Sequence, residues 1–251
     1  MRLARMPDGS PEIFHTLQGE GRSTGRPSVF LRASLCNLHC RWCDTDYTWN
    51  WEGTPFAHEK DGEPDYRKFR REEQIVEADT AAIVKRVLRY PASNYVFTGG
   101  EPLLQEKAWV ALMDALAARR RDARFEIETN GTLFPGAAFL ERIHRCNVSP
   151  KLANSGVDAA LRFKPEVLRQ FAETEKADFK FVVGNEADIS EILALAEAIP
   201  LPAGRVFLMP KARTVAELEA CQGRAAQLAL DHGFNYSDRL HLRLFGATRG
   251  T

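Results

Sequence analysis

Three cysteines fall within eight residues, CNLHCRWC (residues 36–43), and DTDYTW follows them directly. A structural zinc site closes with four ligands, usually two pairs of closely spaced cysteines. The spacing here, C-x3-C-x2-C, offers three. Cys146 heads a strand-like run far downstream and Cys221 sits inside a helix-like one; both positions suit a small buried hydrophobe. Three thiolates can hold a four-iron cluster and leave one iron open to a ligand that is not protein. Such a loop would do chemistry on a bound small molecule. His39, between two of the thiols, is then read as a packing or solvent residue and not as a fourth ligand.

The elements that would position this loop are legible as runs. Strand-like segments recur at SVFLRAS (28–34), NYVFT (94–98), RFEIET (124–129), CNVS (146–149), DFKFVV (178–183) and RVFLM (205–209). Segments with helical spacing lie between them, among them TAAIVKRVLRY, EKAWVALMDALAARRR, PEVLRQFAETE and DISEILALAEAI. This alternation predicts an α/β protein with a parallel sheet of right-handed crossovers, either open and doubly wound or a full or partial barrel. In each case chemistry collects at the C-terminal ends of the strands. The cysteines follow the first strand, and TGGEPLLQ (98–105) follows the second. There Gly99 and Gly100 allow a ligand to approach the backbone, and Glu101 offers a carboxylate to an ammonium group.

Composition narrows the classes. With 251 residues, 44% of them apolar, one sizeable core and a single domain over 1–251 are expected. Lysine plus arginine equals aspartate plus glutamate at 34 each, so no overall field steers the chain onto nucleic acid or an anionic membrane. No window approaches the ~18 apolar residues of a membrane span, and the first residues lack the apolar stretch of a secretory signal. Five cysteines, three of them crowded, are not the even, dispersed set of a disulfide framework. A cytoplasmic protein that binds neither membrane nor nucleic acid directly is expected. Residues 52–74, charged and punctuated by glycine and proline, mark an insertion at about 50–75. It is read as a solvated excursion in preference to a lid or docking element.

The cysteine spacing, with Trp42 just before the last thiol, resembles the cluster motif of the radical S-adenosylmethionine (SAM) superfamily, and GGEP resembles the segment with which that superfamily binds the amino group of SAM. FHTLQGEGRSTGRPSVFLR (14–32), CDT (43–45), ETNGT (128–132) and VSPK (148–151) narrow the resemblance to the 7-carboxy-7-deazaguanine synthase family. The likeness runs from about residue 14 to the C-terminus and is weakest across the insertion and the tail. It implies a partial (β/α)6-type barrel of parallel strands, a radical SAM core with the charged insertion after the cluster loop. It further implies a [4Fe-4S] cluster, SAM and Mg2+, an electron donor such as flavodoxin, and a homodimer. The implied reaction converts 6-carboxy-5,6,7,8-tetrahydropterin to 7-carboxy-7-deazaguanine with loss of ammonia. A 5'-deoxyadenosyl radical takes the C6 hydrogen and later returns it, so that SAM acts catalytically.

The resemblance also assigns roles. Cys36, Cys40 and Cys43 bind three irons. Trp42, Cys43 and Asp44 flank the nucleoside, and Gly100, Glu101, Glu128, Asn130, Ser149, Lys151, Met209 and Lys211 complete the SAM site. Thr45 supplies a hard hydroxyl oxygen to Mg2+; its plain alternative is a cap on the next turn. Leu17, Gln18 and Gly19 read the pterin edge, with Glu20 at its guanidine-like side, Thr98 beside it and Arg32 forked onto its carboxylate. His241 is a substrate ligand in a capping tail of about 234–251, where the surrounding residues depart from the family's usual run. Two other readings stay open on the residues alone: a glycyl-radical enzyme activase, and an iron–sulfur or zinc module without catalysis.

Overall fold

Period-two patterning inside the apolar runs decides which way each strand faces. The computed structural model describes residues 1–251. Ten strands form one sheet: β1 (Arg2–Ala4), β2 (Ile13–Leu17), β3 (Pro27–Ala33), β4 (Ile75–Glu77), β5 (Asn94–Gly99), β6 (Arg124–Thr129), β7 (Arg145–Val148), β8 (Ala177–Val183), β9 (Val206–Pro210) and β10 (Asn235–Tyr236). The six expected strands are β3 and β5 to β9. They lie side by side in chain order, all parallel, and β10 extends them on β9. An unreversed order is that of a (β/α) barrel, whereas a doubly wound sheet reverses at a switch point. β9 and β10 do not pair back onto β3, so the barrel is partial. Four strands were not expected. β1, β4 and β10 are too short to show a period, and β2 alternates with polar residues that were read only as motif. β2 and β1 run antiparallel to β3, and β4 antiparallel to β1.

The helices are α1 (Arg71–Gln74), α2 (Thr80–Val87), α3 (Glu106–Ala117), α4 (Ala137–Arg142), α5 (Ala159–Arg162), α6 (Pro165–Glu173), α7 (Glu186–Ala198), α8 (Val215–His232) and α9 (Leu240–Phe245). Their ends are set by side chains. Asp79 caps α2 through Ala82 N at 2.8 Å, and Thr214 caps α8 through Glu217 N at 3.2 Å. Asn185 and Asp188 form a reciprocal capping box at α7; caps of this kind contribute about 1 kcal/mol each.

Alternate strand positions divide between two environments. Val29, Leu31, Tyr95, Phe97, Phe125, Ile127, Cys146, Val148, Phe179, Phe181, Val206 and Leu208 enter the core under the helices, where Trp109 of α3 stacks on Phe97 with ring centroids 4.5 Å apart. The intervening positions, Arg32, Thr98, Glu128, Asn147, Lys180 and Met209, face a cavity inside the barrel. Towards the N-terminal ends of the strands the interior is filled with charge: Asp178 accepts from Arg22 and pairs with Arg145 at 3.1 Å, while Ser23 donates to Glu126 at 2.8 Å. Only the C-terminal side is left open for a ligand.

Candidate active site

The cavity measures about 980 Å3 and gathers the ends of all six central strands. Every site residue expected from the sequence lines it except Glu101. The cysteine loop leaves β3 through Leu35, whose φ of +78 is unusual for a residue with a side chain. That turn aims its carbonyl at the end of β5, where it accepts from Glu101 N at 2.8 Å. The pair of glycines is required here: a Cβ on Gly100 would stand 2.0 Å from Leu35 O, and one on Gly99 would stand 2.2 Å from Ala33 O.

Glu101, expected to contact SAM, does not line the cavity. Its side chain is fully buried and accepts from Leu103 N (3.0 Å), Thr129 Oγ1 (2.9 Å) and Asn130 N (2.8 Å), so it pins the Gly-Gly turn to the end of β6. Burial pushes its pKa up, against those hydrogen bonds. Asn130 continues the tie by donating to Asn37 Oδ1 at 2.8 Å in the cysteine loop.

Cys36, Cys40 and Cys43 face the cavity together. Burial pushes all three thiols up, Cys40 to about 12, and charge on the neighbouring thiols adds to the effect at Cys36 and Cys40. Thiolates here therefore need a group that brings positive charge. No trio of His, Cys, Asp or Glu is gathered tightly enough for a single metal ion, whereas an iron–sulfur cluster spreads its thiolates over separate irons. This donor set fits such a cluster. Cys146 is fully buried in the core, as expected; Cys221 is only partly buried and its Sγ donates to Glu217 O at 3.0 Å.

Beside the thiols, Trp42 Nε1 donates to Asn154 O at 3.0 Å, Lys151 Nζ donates to Ser149 Oγ at 3.0 Å, and the Lys151 ammonium lies 5.6 Å from the Trp42 ring centre. Thr45 Oγ1 is 3.5 Å from Cys43 Sγ, and its side chain makes no capping hydrogen bond to the turn that follows.

Opposite lies a charged wall. Glu128, expected at the SAM site, is bonded to this wall: it accepts from Gln18 Nε2 at 3.2 Å and Thr98 Oγ1 at 2.6 Å. Gln18 is also engaged through Oε1, which accepts from Glu20 N at 3.1 Å. Glu20 pairs with Lys180 and with Arg239 Nε at 3.1 Å, and Arg239 reaches on to Asp44 at 2.5 Å. Burial alone would raise the Glu20 carboxyl; Lys180 and Arg239 hold it well below its ordinary range. His241 packs on Gly19, whose added Cβ would meet Nδ1 at 2.3 Å, and burial lowers its pKa against the pull of Glu20.

Arg32 Nε donates to Glu12 Oε1 at 2.7 Å, while both Nη nitrogens lack a protein acceptor. The buried Glu12 also accepts from Tyr47 OH at 3.0 Å and from Arg249 at 2.6 Å. Glu12, Tyr47, Asn154, Lys180, Arg239 and Arg249 were missed. Only Lys180 carried a sequence signal, a lysine at an inward position of the apolar run DFKFVV.

Residues 52–74 are exposed over most of their length, as expected of a solvated excursion, and are anchored to the cysteine loop at a few points. Phe56 stacks on His39 with centroids 3.4 Å apart, Tyr66 donates to Asp46 at 2.6 Å, and Lys211 Nζ donates to Glu59 at 2.6 Å across the cavity mouth. The aromatic rings scattered among the charges hold the segment on the cysteine loop. His39 is thereby a packing residue.

A partial parallel barrel with a three-thiol loop at its open end defines a class. The Radical SAM superfamily profile matches residues 32–199. A 7-carboxy-7-deazaguanine synthase of Pyrobaculum aerophilum is 36% identical over 241 residues, 95% of this chain and 95% of that one. Those of Halobacterium salinarum and Rhodopirellula baltica are 36% and 34% identical, over 93% and 96% of this chain and 89% and 87% of theirs. The crystal structure of QueE from Escherichia coli shares the fold, with a TM-score of 0.65 at 24% identity over 96% of this chain and 95% of that one. The chain belongs to the 7-carboxy-7-deazaguanine synthase family of the radical SAM superfamily. Membership brings a [4Fe-4S] cluster and SAM; no helix is long and apolar enough to cross a membrane.

Proposed function

We propose that this chain converts 6-carboxy-5,6,7,8-tetrahydropterin to 7-carboxy-7-deazaguanine and ammonia, a step towards queuosine-type 7-deazapurines in the cytoplasm. The observation that carries the reading is one cavity whose wall holds the cluster cysteines on one side and Gln18, Glu20, Arg32 and Thr98 on the other. When bound, the reduced cluster and SAM supply a carbon radical able to take a hydrogen atom from an unactivated carbon. The chain's own residues bind and orient. Arg32, anchored through Nε by Glu12, presents two free nitrogens for the pterin carboxylate. The Gly19 backbone approaches the heterocycle, and Glu20 and His241 border it.

Lys151, Ser149, Met209, Lys211, Gly100 and Asp44 frame the SAM side, with Trp42 held by Asn154 so that its ring forms a fixed wall. Thr45, free of a capping bond, is read as the protein's oxygen ligand to Mg2+, an ion that otherwise keeps waters and substrate oxygens. Residues 234–251 cap the substrate. Reductive cleavage needs an external one-electron donor such as flavodoxin, and the family likeness implies a homodimer. Anaerobic reconstitution, reduction and incubation with SAM and the pterin should yield 7-carboxy-7-deazaguanine with one ammonia per turnover. Formation of 5'-deoxyadenosine without pterin conversion would overturn the reaction and favour an activase; no 5'-deoxyadenosine at all would favour a module without catalysis.

A further inference from the structure

Within the insertion of residues 52–74, two adjacent residues bind the backbone of the cysteine loop. His58 is 3% exposed. Its Nδ1 accepts from Lys60 N at 3.2 Å, which places the ring proton on Nε2, and Nε2 donates to the Cys43 carbonyl at 2.9 Å. That carbonyl has no other donor. Beside it Glu59 N donates to Arg41 O at 2.7 Å, while the Glu59 carboxylate reaches Lys211 at 2.6 Å. The imidazole stacks 5.6 Å from Tyr66 and packs 6.2 Å from Trp49, and Asp61 fixes the backbone by accepting from His58 N at 2.8 Å. A phenyl ring could occupy the same slot between the aromatic neighbours. Only the Nε2–H satisfies the carbonyl of a cluster ligand.

We propose that His58 is a positioning residue for the radical chemistry: by donating to the Cys43 carbonyl it fixes the peptide between Cys43 and Asp44, and with it the aim of the Cys43 thiolate and the Thr45 hydroxyl. Cluster properties follow hydrogen bonding and dipoles around the thiolates, so the effect reaches a readout that packing alone would not move. The claim about Cys43 rests on family membership; only the Thr45 part rests on the proposed reaction.

Two variants separate the donor from the ring. His58→Phe keeps an aromatic ring and removes the N–H; His58→Gln keeps an N–H and removes the ring. Iron per chain after anaerobic reconstitution, the electron paramagnetic resonance spectrum and midpoint potential of the reduced cluster, and the rate of 5'-deoxyadenosine formation without pterin are measured. His58→Phe should retain iron, change the spectrum and potential, and lower the rate about tenfold, whereas His58→Gln should keep the wild-type spectrum and a rate within about threefold. A wild-type spectrum, potential and rate in His58→Phe would overturn the proposal, as would equal impairment in both variants. If His58→Phe fails to fold or to hold iron, His58→Leu, which fills the slot without an N–H, takes its place beside His58→Gln: an altered spectrum and potential in His58→Leu with a wild-type spectrum in His58→Gln supports the proposal, and wild-type readouts in His58→Leu or equal impairment in both overturns it. Wild-type protein that cleaves SAM and leaves the pterin intact would refute the reaction, while these cluster readouts would still judge His58.

Discussion

The two sides of the cavity are assembled by different means. On the cluster side, loops are tied close to the backbone: Glu101 N donates to Leu35 O, the Glu101 carboxylate accepts from Asn130 N, and the Asn130 side chain donates to that of Asn37, while glycines let the β5 turn pack on the cysteine loop. On the charged side, side chains from distant parts of the chain meet: Lys180 on Glu20 across 160 residues, Arg239 on Glu20 across 219, Arg249 on Glu12 across 237. Backbone contact demands particular residues at particular places, glycines above all, and so leaves motifs. An ion pair demands only opposite charges that happen to converge. The cluster side should therefore fail abruptly when one atom is wrong, and the charged side should fail by degrees.

The largest effect is expected at the thiols. Alanine at Cys36, Cys40 or Cys43 should each abolish iron retention and 5'-deoxyadenosine formation, because a cluster stripped of one thiolate is open to hydrolysis. Cys146→Ala, in the packed core, and Cys221→Ala, on a partly buried helix face, should keep iron and lose at most about 1–2 kcal/mol of stability. Iron and sulfide per chain after anaerobic reconstitution check this. Loss of the cluster in a folded Cys146→Ala would break the three-thiol assignment.

Next in size is Gly100→Ala. A methyl placed 2.0 Å from Leu35 O must move the cysteine loop, and a displacement of about 1 Å in such a site can cost ~100-fold in rate. Gly223→Ala in α8, where a Cβ meets nothing within 4 Å, is the control and should be neutral or slightly stabilising. Equal rates of SAM cleavage in the two variants would mean that the loop has slack, and the contrast between the two sides would lose its basis.

This contrast also explains what was legible. The six parallel strands and the cysteine loop followed from apolar runs and spacing, whereas the unreversed strand order came only through the family resemblance; the glycine pair announced a close approach, which the fold makes with the backbone of Ala33 and Leu35. Glu101 was assigned to the ligand because a carboxylate after two glycines gives no hint of which way it turns; burial against Thr129 and Asn130 decides that. Arg239 and Arg249 had no signal, since nothing in the tail says which buried carboxylate each will meet. The insertion is mostly solvated, as its charges imply, but those charges hid Phe56, His58, Tyr66 and Phe69, the rings that determine where it lies.

On the charged side, Arg32→Ala should raise KM for the pterin about tenfold or more while SAM still binds, since the substrate carboxylate loses its fork. Glu12 would retain Arg249 and Tyr47, so the protein should fold with reduced stability. Arg32→Lys, with the charge but not the paired nitrogens, should fall between. Steady-state kinetics with pterin varied at saturating SAM measures the split. An unaltered KM in Arg32→Ala would remove this residue from substrate recognition and leave it as Glu12's structural partner.

The smallest effect is expected where the two sides meet, at Thr45. Its hydroxyl caps nothing and sits 3.5 Å from the Cys43 sulfur, so removing it should cost little stability. Thr45→Ala should leave iron content and SAM binding near wild type. If the hydroxyl is a Mg2+ ligand, the ion bridges chain and pterin, and its loss should lower turnover about tenfold and flatten the dependence on added Mg2+. Thr45→Ser keeps the oxygen and should keep most of the activity and the Mg2+ response. Titrating Mg2+ against turnover in all three proteins reads this directly. Wild-type turnover with an unchanged titration in Thr45→Ala would take Thr45 out of the metal's shell, and any Mg2+ dependence would then belong to substrate oxygens and water alone.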